Sequence, residues 1–127
     1  MNILIVDDKP NLARVTAVAL RTLGCQSCSA DSTAAANRQL ETEKVDAVFL
    51  DLNLNGEDGF LFLSDLAGRP NPVPVILFTA HSREDIETEA LRRGAFGCLF
   101  KPFTLDDLRQ QLGKIEQYRK PLANNGV

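Results

Sequence analysis

Ala47-Val48-Phe49-Leu50-Asp51 is a short apolar run that stops abruptly at a carboxylate. The same pattern recurs in Ile3-Leu4-Ile5-Val6 before Asp7-Asp8, in Val75-Ile76-Leu77-Phe78 before Thr79, and in Cys98-Leu99-Phe100 before Lys101. Continuous apolar runs separated by helical stretches read as strands of a parallel sheet buried on both faces. Such sheets hold ligands outside the carboxyl ends of their strands. The pattern therefore predicts that carboxylates, a hydroxyl and an ammonium meet at one edge of the sheet.

The stretches between the runs complete a strand-helix alternation. From Pro10 to Leu23, Leu12, Val15, Ala19 and Leu23 are expected on one helical face, with Pro10 in the first turn and Gly24 as terminal cap. Residues 26–30 read as a polar edge strand, and Asp31 or Ser32 as the cap of a helix running to about Glu43 with Ala36 and Leu40 inward. A turn-rich loop follows Asp51, then a helix carrying Phe60, Leu63 and Leu66 and ending at Arg69-Pro70-Asn71-Pro72. Ser82 with Asp85, and Thr104 with Asp107, have capping-box spacing. The last of these opens a helix with an apolar stripe of Leu105, Leu108, Leu112 and Ile115. The expected fold is α/β: strand then helix five times, as a doubly wound parallel sheet with helices on both faces.

The chain has 127 residues, 44% of them hydrophobic, which suits one domain over residues 1–119 with a tail or linker start at 120–127. A net charge of −3 and a pI near 5.1 argue against direct nucleic-acid binding, which needs clustered Lys and Arg. No stretch has the length of a signal peptide or membrane span, so a cytoplasmic location is expected. The three cysteines read as reduced thiols. Cys25-Gln-Ser-Cys28 has redox spacing, but residues three apart on a strand face opposite ways.

Taken together and in order, Asp7-Asp8, Asp51 with Asn53, Thr79-Ala80 and Lys101-Pro102-Phe103 resemble the receiver domain of two-component response regulators. Gly94-Ala95-Phe96 before the last strand and Lys101-Pro102-Phe103 after it are similar to receivers of nitrogen-regulator-type transcriptional activators. The resemblance implies a flavodoxin-like, doubly wound, five-stranded parallel sheet in the order 2-1-3-4-5 with five helices. The resemblance implies that Asp51 takes a phosphoryl group from a phosphohistidine on a sensor histidine kinase, as a switch and not as a turnover enzyme. It implies Mg²⁺ held directly by Asp8 and Asp51, by Asp7 through water, and by the backbone carbonyl of Asn53. Clustered like charges repel, and a hard divalent cation with oxygen ligands resolves that. Lys101 and Thr79 would contact the phosphoryl oxygens, small Ala80 would leave room for the group, and a cis bond at Pro102 would aim the lysine. An output domain in the same chain, a separate effector and pairing with a second copy all stay open.

Departures from the family pattern carry expectations of their own. Cys98 stands where an aromatic readout residue is usual, with Phe96 and Phe100 out of register. Asn55 replaces a common proline and is expected to loosen the loop, and His81 occupies a position that tunes acyl-phosphate lifetime. Two other functions compete with the switch. A docking module that is never phosphorylated draws support from Cys98. An aspartate-nucleophile phosphatase of the haloacid dehalogenase type would place a second acid two residues after its nucleophile, where this chain has Asn53.

Overall fold

The computed structural model describes residues 1–80 and 84–119. Its strands are β1 (Asn2–Val6), β2 (Gln26–Ala30), β3 (Ala47–Asp51), β4 (Asn53–Leu54), β5 (Glu57–Asp58), β6 (Val75–Thr79) and β7 (Gly97–Phe100). Its helices are α1 (Pro10–Thr22), α2 (Thr33–Thr42), α3 (Gly59–Ala67), α4 (Glu84–Arg92) and α5 (Leu105–Arg119). Five strands form one parallel sheet in the order β2-β1-β3-β6-β7, while β4 and β5 form a separate antiparallel ribbon. With that ribbon left out of the count, the order is the 2-1-3-4-5 that the family resemblance implies.

The pleat of each strand divides the core in two. Leu4, Val6, Val48, Leu50 and Leu77 face α2, α3 and α4, where they meet Ala36, Phe62, Leu63, Leu66 and Ala90. Ile3, Ile5, Phe49, Ile76 and Phe78 face α1 and α5, where they meet Ala13, Leu20, Leu108, Leu112 and Ile115. Every residue of β3 and β6 is buried, which is why these strands read as unbroken apolar runs. Cys25 belongs to one half of the core and Cys28 packs against the other, and Cys25, Cys28 and Cys98 are all free thiols.

Several helix ends follow the sequence signals. Ser32 Oγ accepts from Ala35 N–H at 3.1 Å, and Thr104 and Asp107 exchange two reciprocal bonds of 3.0 Å. The Ser82 half of the other capping box lies outside the described residues. Two apolar faces differ from expectation. On α1 the sheet-facing set is Ala13, Thr16 and Leu20, while Leu12 and Val15 are exposed. On α5, Leu105 is exposed and the buried stripe begins at Leu108. Two of the three buried α1 residues, Ala13 and Thr16, are small, so choosing that face by the size of its side chains turns the helix the wrong way.

Asn55 sits in a defined turn. Asn55 and Gly56 both have positive φ, 51° and 88°, as a two-residue type I′ hairpin turn between β4 and β5 requires. Glu57 then fastens the ribbon to α2 by accepting from Thr33 N–H at 3.1 Å and Thr33 Oγ1 at 2.5 Å. Those bonds hold its carboxyl below the ordinary value of 4.5. A carboxyl lowered by folding contributes stability above its unfolded pKa and loses it as pH falls through the folded one. Glu57→Ala should therefore melt below the native protein at pH 7, with the gap closing as melts are repeated below pH 4.5.

Gly113 lies inside α5, and a Cβ built on it meets nothing within 4 Å. Ala has less backbone entropy to lose, so Gly113→Ala should raise stability in urea denaturation by about 0.5–1 kcal/mol.

Candidate functional site

The chain leaves β1 for β2 on one side and returns past it to β3 on the other. That reversal opens a crevice at the carboxyl ends of β1 and β3. Asp7 and Asp8 follow β1, and Asp51 is the last residue of β3. Carboxylate oxygens of Asp7, Asp8 and Asp51 all lie within 4.8 Å of one another. Asp7 and Asp51 are 2% and 3% exposed, so solvent screens their repulsion poorly.

Lys101 reaches this cluster from beyond the end of β7. Its Nζ donates to Asp7 Oδ2 at 3.3 Å and to Asp51 Oδ2 at 3.2 Å, and its side chain is 17% exposed. Its backbone N–H donates to Thr79 O at 2.8 Å, and the Lys101-Pro102 peptide is cis, as expected. The second oxygen of each bridged carboxylate is occupied by the chain just downstream. Lys9 N–H donates to Asp7 Oδ1 at 2.9 Å, and Asn53 N–H donates to Asp51 Oδ1 at 3.1 Å. One ammonium against three carboxylates leaves a formal charge of −2 (1 − 3). Asp8 Oδ1 is buried without a hydrogen-bond partner. A buried orphan acceptor in a net-negative set of hard oxygen donors is what a divalent cation would satisfy.

Thr79 ends β6 beside Phe100 of β7 and is fully buried. Ala80 is exposed and lines a groove with Leu12, Val15, Lys101, Pro102 and Phe103. His81 lies outside the described residues. Cys98 is not brought into the cluster. It packs with the α2–α4 half of the core, and burial, with Glu87 adding to it, pushes its thiol up to about 11. Its carbonyl accepts from Gln111 Nε2 of α5 at 3.3 Å. Phe96 packs edge-on against Tyr118, with ring centroids 5.3 Å apart.

Gly59 is a site residue the sequence reading missed. It opens α3 directly behind Asp51, and a Cβ there would stand 2.5 Å from Leu52 O and 2.9 Å from Asp51 O. Nothing local marks it, because the close approach is made by the chain folding back through the β4–β5 ribbon.

The family model described as "Response regulator receiver domain" matches residues 3–113. This chain belongs to that family. The receiver is 35% identical over 125 residues to the regulatory protein AtoC of Escherichia coli, covering 96% of this chain and 27% of AtoC. It is 34% identical over 124 residues to the sensor histidine kinase RcsC of Salmonella typhi, covering 97% of this chain and 13% of RcsC. The receiver thus spans about a quarter or less of these relatives. Among solved structures, the receiver domain of NtrX from Brucella abortus superimposes with a TM-score of 0.81 at 27% identity, covering 90% of this chain and 98% of that one. The AtoC and NtrX matches accord with the resemblance to nitrogen-regulator-type receivers. No helix among the described residues is long and apolar enough to cross a membrane.

Proposed function

We propose that the receiver is a phosphorylation switch that accepts a phosphoryl group from a sensor histidine kinase onto Asp51, with Mg²⁺ in the acidic cluster. The observation that carries this reading is the meeting of Asp7, Asp8 and Asp51 within 4.8 Å, with Lys101 bridging Asp7 and Asp51. Asp8 and Asp51 would hold the ion directly, Asp7 through water, and the Asn53 carbonyl would complete the protein ligands. Bound there, Mg²⁺ supplies positive charge to the phosphoryl oxygens.

The transfer itself falls to the side chains. A carboxylate oxygen of Asp51 attacks phosphorus, the P–N bond of the phosphohistidine breaks, and the imidazole leaves with that electron pair. The products are an acyl phosphate and a free histidine. The Asn53 N–H bond orients the Asp51 carboxylate. Lys101 acts as a point charge on the transferred oxygens. The Thr79 hydroxyl donates to another of them. Phosphorylation then shifts a two-state equilibrium read by an output domain or a partner. The protein is a substrate of the kinase that assists its own modification, and we place it in the cytoplasm without direct contact to nucleic acid. With Cys98 in the usual aromatic position, the shift travels without a swinging ring.

Intact mass after incubation with acetyl phosphate tests this reading. One phosphoryl adduct that requires Mg²⁺ is expected. Absence of an adduct from both acetyl phosphate and histidine kinases would favour a docking module that is never phosphorylated.

A further inference from the structure

Lys101 has a third contact besides its two carboxylates. Its Nζ stands over the ring of Phe78, 4.4 Å from the centroid. Phe78 is fully buried, one residue before Thr79, whose carbonyl accepts the Lys101 N–H. Its ring is backed by Phe49, two residues before Asp51, with centroids 6.1 Å apart and planes tilted by 56°. Strand pairing sets Phe78 beside Asp51 itself. The apolar runs that end at Asp51 and Thr79 therefore also build an aromatic floor under the ammonium.

We infer that Phe78 is a positioning residue for the lysine, with the negative face of its ring seating the Lys101 ammonium beside Asp51. This rests on the phosphoacceptor reading. The face of an aromatic ring attracts a cation through its quadrupole, more strongly when the cation is desolvated, and the Lys101 side chain is 17% exposed. The carboxylates are unreliable partners for this purpose. A cation binding Asp51 competes with the lysine for its oxygens, and phosphorylation changes Asp51 itself. The ring binds no metal and is not consumed. It gives the ammonium a seat that persists while its charged partners change.

The test replaces Phe78 site-specifically with mono-, di- and trifluorinated phenylalanine. These drain charge from the ring face while nearly preserving its shape. Two quantities are followed: the rate of phosphoryl uptake from acetyl phosphate, and the NMR shift of the Lys101 ε-methylene protons, which a ring beneath them moves upfield. Both should decline stepwise along the series. Uptake should fall by about fivefold to tenfold for the trifluorinated ring, with thermal melting nearly unchanged. Phe78→Leu should lose the upfield shift altogether. A Lys101 shift and uptake rate indifferent to fluorination would overturn the inference. If even the native protein takes up no phosphoryl group, the function proposed above fails, and the Lys101 shift series still decides the role of Phe78.

Discussion

Asp51→Ala is expected to lose the phosphoryl adduct, with uptake from acetyl phosphate at least about 10²-fold below that of the native protein. The effect should be chemical and not a failure to fold. In the native protein, Asp7, Asp8 and Asp51 are held within 4.8 Å, and two charges about 4 Å apart repel by about 4 kcal/mol at an effective dielectric near 20. Removing Asp51 relieves that repulsion, and Lys101 keeps its bond to Asp7. Thermal melting without divalent cation should therefore be unchanged or higher, while the adduct disappears. Circular dichroism melts and intact mass on one sample separate the two effects. A persisting adduct would place the nucleophile elsewhere and sink the assignment of Asp51.

Gly59→Ala should have the opposite profile, lost stability first and lost chemistry as its consequence. The added methyl carbon would lie 2.5 Å from Leu52 O, 2.8 Å from Leu52 Cα and 2.9 Å from Asp51 O. All three atoms are backbone, so no side chain can swing aside. Gly59 N–H also donates to Leu52 O at 3.1 Å, so moving α3 away sacrifices a bond that closes the loop. A cost of at least about 3 kcal/mol in urea denaturation is expected, at the upper end for overpacking. Phosphoryl uptake should fall even where the variant remains folded, because the peptide that must yield is the one following Asp51. A change within about 0.5 kcal/mol of the native protein would show that α3 can slide freely, against the close approach described here.

The central strands and the acidic cluster were readable in the sequence because burial on both faces leaves each strand a continuous apolar run, and each run ends where the sheet ends; the sheet order came from the family resemblance. Reciprocal capping by Thr104 and Asp107 was readable because it is local. What escaped depended on contacts distant along the chain. The inward face of α1 sets the small Ala13 and Thr16 beside Leu20, so Leu12 and Val15 misled. The turn made by Asn55 and Gly56, and its tie to α2 through Glu57, was not read from the sequence, because Thr33 lies far along the chain. Phe78 looked like one more apolar residue in a run, and only the arrival of Lys101 from another strand gives its ring a second role.

The division of the core by the sheet bears on how such a protein can change over generations. Phe49 and Phe78 lie in the α1–α5 half, and Cys98 packs against the α2–α4 half. Substitutions without shared neighbours have nearly additive effects. Cys98 is not isolated in this way, because it is the strand partner of Leu77, next to Phe78, and its carbonyl accepts from Gln111 of α5. Changes confined to side chains of a single layer are the ones expected to combine additively, and Cys98, joined to both, is not among them.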